Sequence, residues 1–206
     1  MKHLLITGGT GGLGSVVVPY LAREYRCVVL VRSAKSFASL HGLANVTPAM
    51  DLAGLSSSRP LFGIVSLAGA FVPGGSADTA RQLIEANLMA FVSAVEAAVP
   101  EMEDGGRIVA ISAAATQTVP AGLAAYTASK SALNAFVQTL AKDLAPRRIT
   151  ANALLPTALD TPAMRGSAGP QQLVSLDRIA EWISFLLSPS GSGVTGQLIA
   201  MSGEKS

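Results

Sequence analysis

Short apolar runs alternate with longer stretches of helical spacing along almost the whole chain. Leu4–Thr7 reads as a first strand, Gly12 to about Glu24 as a first helix and Cys27–Val31 as a second strand. Ile64–Ala68 is a later strand, reached after a short stretch rich in Ser and Gly. Asp78–Ala98 places Leu83, Ile84, Leu88, Phe91, Val92 and Val95 at helical intervals. Arg107–Ser112 is a further strand, followed by a loop with Pro120 and Gly122. Leu123–Leu144 is a long helix that ends before Pro146. Ile149–Leu154 is a strand, Asp177–Leu187 a helix and Gln197–Met201 the last strand. Strands alternating with helices predict βαβ units and a parallel sheet. The strands are apolar throughout rather than at every second position, which fits a sheet covered on both faces. The expected fold class is α/β, a doubly wound, mostly parallel sheet in three αβα layers. There is no repeat or linker, and 206 residues suit one domain, 1–206.

Composition narrows the partners. Half of the residues are hydrophobic and 14% are charged, enough apolar surface for a core. The net charge is +2 with no Lys/Arg-rich run, so no nucleic-acid partner is expected. No uninterrupted apolar run approaches the roughly eighteen residues of a membrane span. The apolar stretch after Met1-Lys2-His3 ends at Thr7-Gly8, too short for the core of a secretory leader. A single cysteine, Cys27, excludes an internal disulfide and reads as a small buried hydrophobe. The expectation is a cytoplasmic protein with a small-molecule substrate and no membrane partner.

Two features carry chemistry. The first is Thr7-Gly8-Gly9-Thr10-Gly11-Gly12-Leu13-Gly14, between the first strand and the first helix. Glycines there let the backbone turn tightly and approach a pyrophosphate, which the helix N-terminus favours. In this position the loop predicts a Rossmann fold with a bound dinucleotide. The second is Tyr126 and Lys130, four residues apart on a predicted helix and therefore on one face. A phenol with a pKa near 10 is a poor acid–base group at neutral pH. A nearby ammonium favours the phenolate, which predicts a lowered Tyr126 pKa and proton exchange with a substrate.

The spacing Thr-Gly-x-x-x-Gly-x-Gly, together with the Tyr-x-x-x-Lys pair, resembles the short-chain dehydrogenase/reductase family over nearly the whole chain. The resemblance implies hydride transfer between a nicotinamide and a small carbonyl, alcohol or quinonoid substrate. Tyr126 then exchanges the proton, Lys130 also holds the nicotinamide ribose, and Asn87 completes a water-linked proton relay. It implies cofactor contacts from Gly8, Thr10, Gly11, Gly12, Leu13, Gly14, Asp51, Leu52, Ala68, Gly69, Leu159 and Thr161. Ser66 and Leu67 stand where the family has two asparagines, so only the backbone role carries over there. Val31 stands where an NAD-type aspartate would, and Arg32 follows it. A guanidinium suits the 2′-phosphate of NADP, so NADP(H) is the preferred cofactor, with NAD(H) the alternative.

The pattern breaks at one place. The family's hydroxyl thirteen residues before the tyrosine is Ala113 here, with Ser112 one position earlier. A one-residue shift in a strand turns a side chain to the opposite face, so Ser112 serves only where the strand has bulged or ended. Thr116 is another hydroxyl that nothing in the sequence aims. Quinonoid dihydropteridine reductases resemble the chain in this alanine, in the short Ala53–Phe62 segment, and in Leu159-Asp160-Thr161-Pro162 with Arg165. A non-catalytic NADP-binding regulator is the reading from another class. The segment Ala163–Ser175, rich in Gly, Ser, Pro and Gln, is expected to cover the substrate and to move. Surplus small and apolar positions on Asp78–Ala98 and Leu123–Leu144, such as Ala128, Ala132 and Phe136, predict a homodimer or homotetramer.

Overall fold

The computed structural model describes residues 1–51, 60–166 and 173–203. Seven strands form one parallel sheet in the order β3-β2-β1-β4-β5-β6-β9. They are β1 (Lys2–Thr7), β2 (Tyr25–Leu30), β3 (Val46–Ala49), β4 (Leu61–Ser66), β5 (Met102–Ile111), β6 (Thr150–Pro156) and β9 (Leu198–Met201). The order reverses between β1 and β4, which is where doubly wound sheets bind ligands beyond their carboxyl ends. Every β4 and β6 residue is buried, as uninterrupted apolar runs require of central strands.

Helices cover both faces. On one side α1 (Gly14–Leu21) and α7 (Leu176–Leu187) pack with Leu4, Ile6, Val29, Val109 and Leu154. On the other, α3 (Ala90–Ala98) and α5 (Ala124–Asp143) pack with Leu5, Ile64, Ile108 and Ala153. The expected αβα layering and doubly wound sheet are therefore present, with all seven strands parallel. The Asp78–Ala98 expectation becomes α2 (Ala77–Ile84), a π-helical turn at Glu85–Met89, and α3. Ser76 caps α2, its hydroxyl accepting from the Thr79 N–H at 3.2 Å. The stretch Ala77–Glu101 has the length and composition to cross a bilayer. Here Phe91, Ala94, Val95 and Ala98 are buried against the sheet.

Several elements depart from the sequence expectation. β3 carries Pro48, tolerable because the strand lies at the sheet edge, and its four residues are too few for a readable alternation. A 3₁₀ segment, Ala34–Leu40, follows β2. The loop after β5 contains a short helix, α4 (Ala115–Thr118). β7 (Ala158–Leu159) and β8 (Leu173–Val174) form a separate two-stranded sheet, with α6 (Pro162–Arg165) between them in the chain. The middle of the expected covering segment and most of the short segment before β4, Leu52 included, lie outside the described residues.

Candidate active site

The chain leaves β1 at Thr7 and turns through Gly8, whose φ of +70° favours glycine. A Cβ on Gly8 would overlap the backbone of Ala68, and one on Gly14 would overlap the carbonyl of Gly9. Gly11 donates to the Gly8 carbonyl at 3.1 Å. Gly11 and Gly12 are exposed, Thr10 is half-buried and Leu13 is buried beneath them. Thr161 borders this loop: a Cβ on Gly12 would meet its Cγ2 at 3.4 Å. Leu159, half-buried in β7, lies two residues before it.

One turn joins this loop to the expected chemistry. Ala68 abuts Gly8, and a Cβ on Gly69 would lie 3.0 Å from Asn87 Oδ1 and 3.2 Å from Lys130 Nζ. Ser66 Oγ and Thr7 Oγ1 lie 3.1 Å apart and tie the ends of β4 and β1. The exposed Gly11–Gly12 backbone can take an elongated phosphate-bearing ligand, with the close approach of Gly69 to Asn87 and Lys130 at its far end.

Asn87 lies in the π turn and is buried. Its Oδ1 accepts from the Ala70 N–H at 2.7 Å, and its Nδ2 donates to Ala70 O at 3.1 Å and to Ser129 Oγ at 3.0 Å. Ser129 Oγ in turn donates to the Tyr126 carbonyl at 2.8 Å. Asn87 thus clamps the Ala70 backbone to the helix carrying Tyr126 and Lys130.

Lys130 is 4% exposed, and its Nζ donates to the Ile111 carbonyl at 2.8 Å. Among the described residues no carboxylate pairs with it. Burial without a counter-charge lowers its pKa to about 8. Burial also raises the Tyr126 pKa above its ordinary value. This corrects the expected lowering of Tyr126: the ammonium is engaged with a strand carbonyl, and desolvation of the phenol dominates. Phe71 stands edge-on to the Tyr126 ring, with centroids 5.0 Å apart.

The hydroxyl question has a geometric answer. Ser112 N–H donates to Leu154 O and Ala114 N–H to Pro156 O, so the pairing with β6 continues past the end of β5. The pleat therefore keeps alternating. The Ser112 hydroxyl is buried and donates to the Lys130 carbonyl at 3.5 Å. Thr116 Oγ1 donates to the Ala113 carbonyl at 2.9 Å and accepts from Asn134 Nδ2 at 3.0 Å. Asn134 Oδ1 is buried with no hydrogen-bond partner among the described residues. Arg32 is exposed just beyond β2, and Asp51 is exposed just beyond β3.

A family model described as enoyl-(acyl carrier protein) reductase matches residues 61–203. The cyclic-di-GMP-binding biofilm dispersal mediator protein of Escherichia coli K12 is 31% identical over 98% of this chain and 96% of its own. The chain belongs to the short-chain dehydrogenase/reductase family. It is similar to two solved structures. BdcA in complex with NADPH is 28% identical, with a TM-score of 0.85 over 100% of this chain and 96% of the other. A Burkholderia cenocepacia short-chain dehydrogenase in complex with NADP is 27% identical, with a TM-score of 0.86 over 98% and 96%.

This short-chain dehydrogenase/reductase is an enzyme of the oxidoreductase type. Three of its site residues escape the sequence reading. Ser129 sits inside Tyr126-Thr-Ala-Ser-Lys130 as a small polar residue that only the contact with Asn87 distinguishes. Phe71 looks like one apolar residue in a loop. Asn134 is one further helical turn beyond Tyr126 and Lys130, and that spacing of four could have revealed it.

Proposed function

We propose that this chain is an NADP(H)-dependent reductase of small carbonyl or quinonoid compounds, with Tyr126 as proton donor. The observation that carries this reading is the Ala68–Gly69 turn, which touches the glycine loop on one side and Asn87 and Lys130 on the other. The nicotinamide, when bound, supplies the hydride. Tyr126 keeps its proton at neutral pH because burial raises its pKa, so the proton is available to an acceptor oxygen or nitrogen. Lys130, protonated below about pH 8, stabilises the phenolate left behind and is held by the Ile111 carbonyl. Asn87 positions the loop backbone against the catalytic helix, which is the part of the relay role that its contacts support.

Gly8 to Gly14 and Thr161 hold the pyrophosphate side, Ala68 and Gly69 the ribose side, and Asp51 and Leu52 the adenine. Arg32 is exposed where a 2′-phosphate needs a guanidinium, and the NADP(H) complexes of two similar structures support the same choice over NAD(H). Ser112 takes no part in catalysis, because its hydroxyl is turned onto the Lys130 carbonyl. With Ala113 in place of a hydroxyl, an acceptor that is already electrophilic is favoured, as for a quinonoid pterin.

NADPH consumption with a panel of small carbonyls and a quinonoid pterin tests the reading. Turnover of at least one acceptor, lost in Tyr126→Phe with NADPH binding retained, is expected. A purely regulatory role suits Ala113 and the similarity to the biofilm dispersal mediator protein of Escherichia coli. It predicts NADPH binding with no turnover of any acceptor. The active unit is proposed to be a cytoplasmic homodimer or homotetramer, supported by exposed Ile84 and Met89 on the α2–α3 face. A monomer mass by sedimentation at micromolar concentration overturns that part.

A further inference from the structure

At the amino ends of the strands, opposite the candidate active site, a second constellation surrounds Arg107. The five residue steps of β1 from Lys2 to Thr7 separate the two ends by roughly 16 Å. β5 carries a bulge here: Leu61 pairs with Met102 and Gly63 with Arg107, so extra β5 residues loop out between them. Gly105, with φ +77°, turns this bulge. The Arg107 guanidinium folds back onto it, donating to the Gly105 and Gly106 carbonyls.

Arg107 is 7% exposed, and its Nε is buried with no hydrogen-bond partner among the described residues. Among the described residues no carboxylate is in ion-pair distance of it. A guanidinium cannot shed its charge, so this end of the sheet holds a cation whose charge no acidic group among the described residues balances. The neighbouring cation is different, because Lys2 is paired with Glu103 at 3.0 Å. Arg107 lines a pocket of about 270 Å³ whose other walls include Lys2, Tyr25, Phe62, Leu187 and Ser192. Tyr25 and Phe62 stack 6° from parallel, and Lys2 Nζ stands 3.7 Å from the Phe62 ring centroid.

We propose that this pocket binds a small aromatic monocarboxylate, its carboxylate on Arg107 and Lys2 and its ring against Tyr25, Phe62 and Leu187. The single unpaired charge sets the valence of the ligand. The guanidinium charge draws a carboxylate, although Nη1 is committed to the Gly105 and Gly106 carbonyls, and the rings with the leucine give the body of the ligand an apolar wall. The site is independent of the dinucleotide site.

Benzoate is the probe, titrated calorimetrically into the full chain saturated with NADP⁺. One saturable site per chain is expected, with methyl benzoate, the neutral ester, binding at least about tenfold more weakly. Arg107→Met should weaken benzoate on the order of tenfold or more while leaving NADP⁺ affinity unchanged. Lys2→Met, at an exposed position already paired with Glu103, should cost only a few-fold. No saturable benzoate binding at millimolar concentration overturns the proposal, as does equal binding of the ester or of Arg107→Met. Should Arg107→Met fail to fold, the ester comparison on the parent chain decides alone.

Discussion

The two ends of the sheet each bury a cation without an acidic partner among the described residues, and they handle it differently. Lys130 at the carboxyl end gives one hydrogen bond to the Ile111 carbonyl and has its pKa drawn down to about 8. Arg107 at the amino end is also lowered by burial from its ordinary value, yet that value is so high that it stays charged. The fold meets it with two carbonyls of a bulge and the Phe62 ring. A lysine can relieve desolvation by releasing a proton, which makes the carboxyl end responsive to pH. An arginine cannot, so its environment has to supply the compensation.

The sharpest break in this contrast is at Tyr126. Tyr126→Phe should lower turnover by about a hundredfold to ten-thousandfold, the usual contribution of a positioned acid–base group, with NADPH affinity nearly intact. Steady-state kinetics beside a binding titration check it. A loss below tenfold would move the proton donor elsewhere. In the parent, reductive kcat/KM should hold through neutral pH and fall as pH rises past about 8, where Lys130 loses the charge that supports the phenolate.

Stability separates the two cations directly. The folded pKa of Lys130 lies below its unfolded value of 10.5, so between about pH 8 and 10.5 the unfolded chain binds the extra proton. The Lys130 contribution to stability therefore rises with pH across that window and is flat below it. The rise is of order 3 kcal/mol at most. Burial of the Cys27 thiol raises its pKa to about 12 and opposes this rise above about pH 9. The Lys130 contribution is therefore read in denaturant titrations as the difference in slope between the parent and Lys130→Met, which should persist when both carry Arg107→Met. The same slope in Lys130→Met would sever the pKa from that residue.

A third cation, Arg32, is exposed, and its effect should be confined to cofactor choice. Arg32→Asp should shift the NADPH/NADH affinity ratio by about tenfold toward NADH, because a carboxylate repels the 2′-phosphate and accepts from a free 2′-hydroxyl. An unchanged ratio in titrations would remove Arg32 as the discriminator. The smallest effect should come from Ser112→Ala, less than about threefold in turnover, since only a long hydrogen bond to the Lys130 carbonyl is lost. A loss matching that of Tyr126→Phe would mean the serine serves the chemistry after all.

The carboxyl end was more legible in the sequence than the amino end, for physical reasons. A tight strand-to-helix turn needs glycine, so the Gly8–Gly14 loop is visible as composition. Tyr126 and Lys130 share a helix, and their spacing alone puts them on one face. Asn87 and Ser129 are brought together across 42 residues, which no local pattern records. Ser112 could be judged because strand alternation carries its direction. Arg107 could not, since a lone arginine opening an apolar strand reads as a solvated end. Its burial depends on the bulge and on Phe62 from the neighbouring strand. β3 was missed because four residues with a proline carry too little periodicity.

The π turn at Glu85–Met89 has a consequence for how this chain tolerates insertions and deletions. Each residue of an α-helix turns the chain by about 100°. The extra residue accommodated in the wide turn sets the angular phase between Leu83 on α2 and Phe91 on α3, both of them buried. Removing one residue there would restore a regular helix but rotate one half by about that angle against the other. Either Leu83 or Phe91 would then face solvent, and Asn87 would swing away from Ala70 and Ser129. Chain length in this helix is therefore fixed to the single residue.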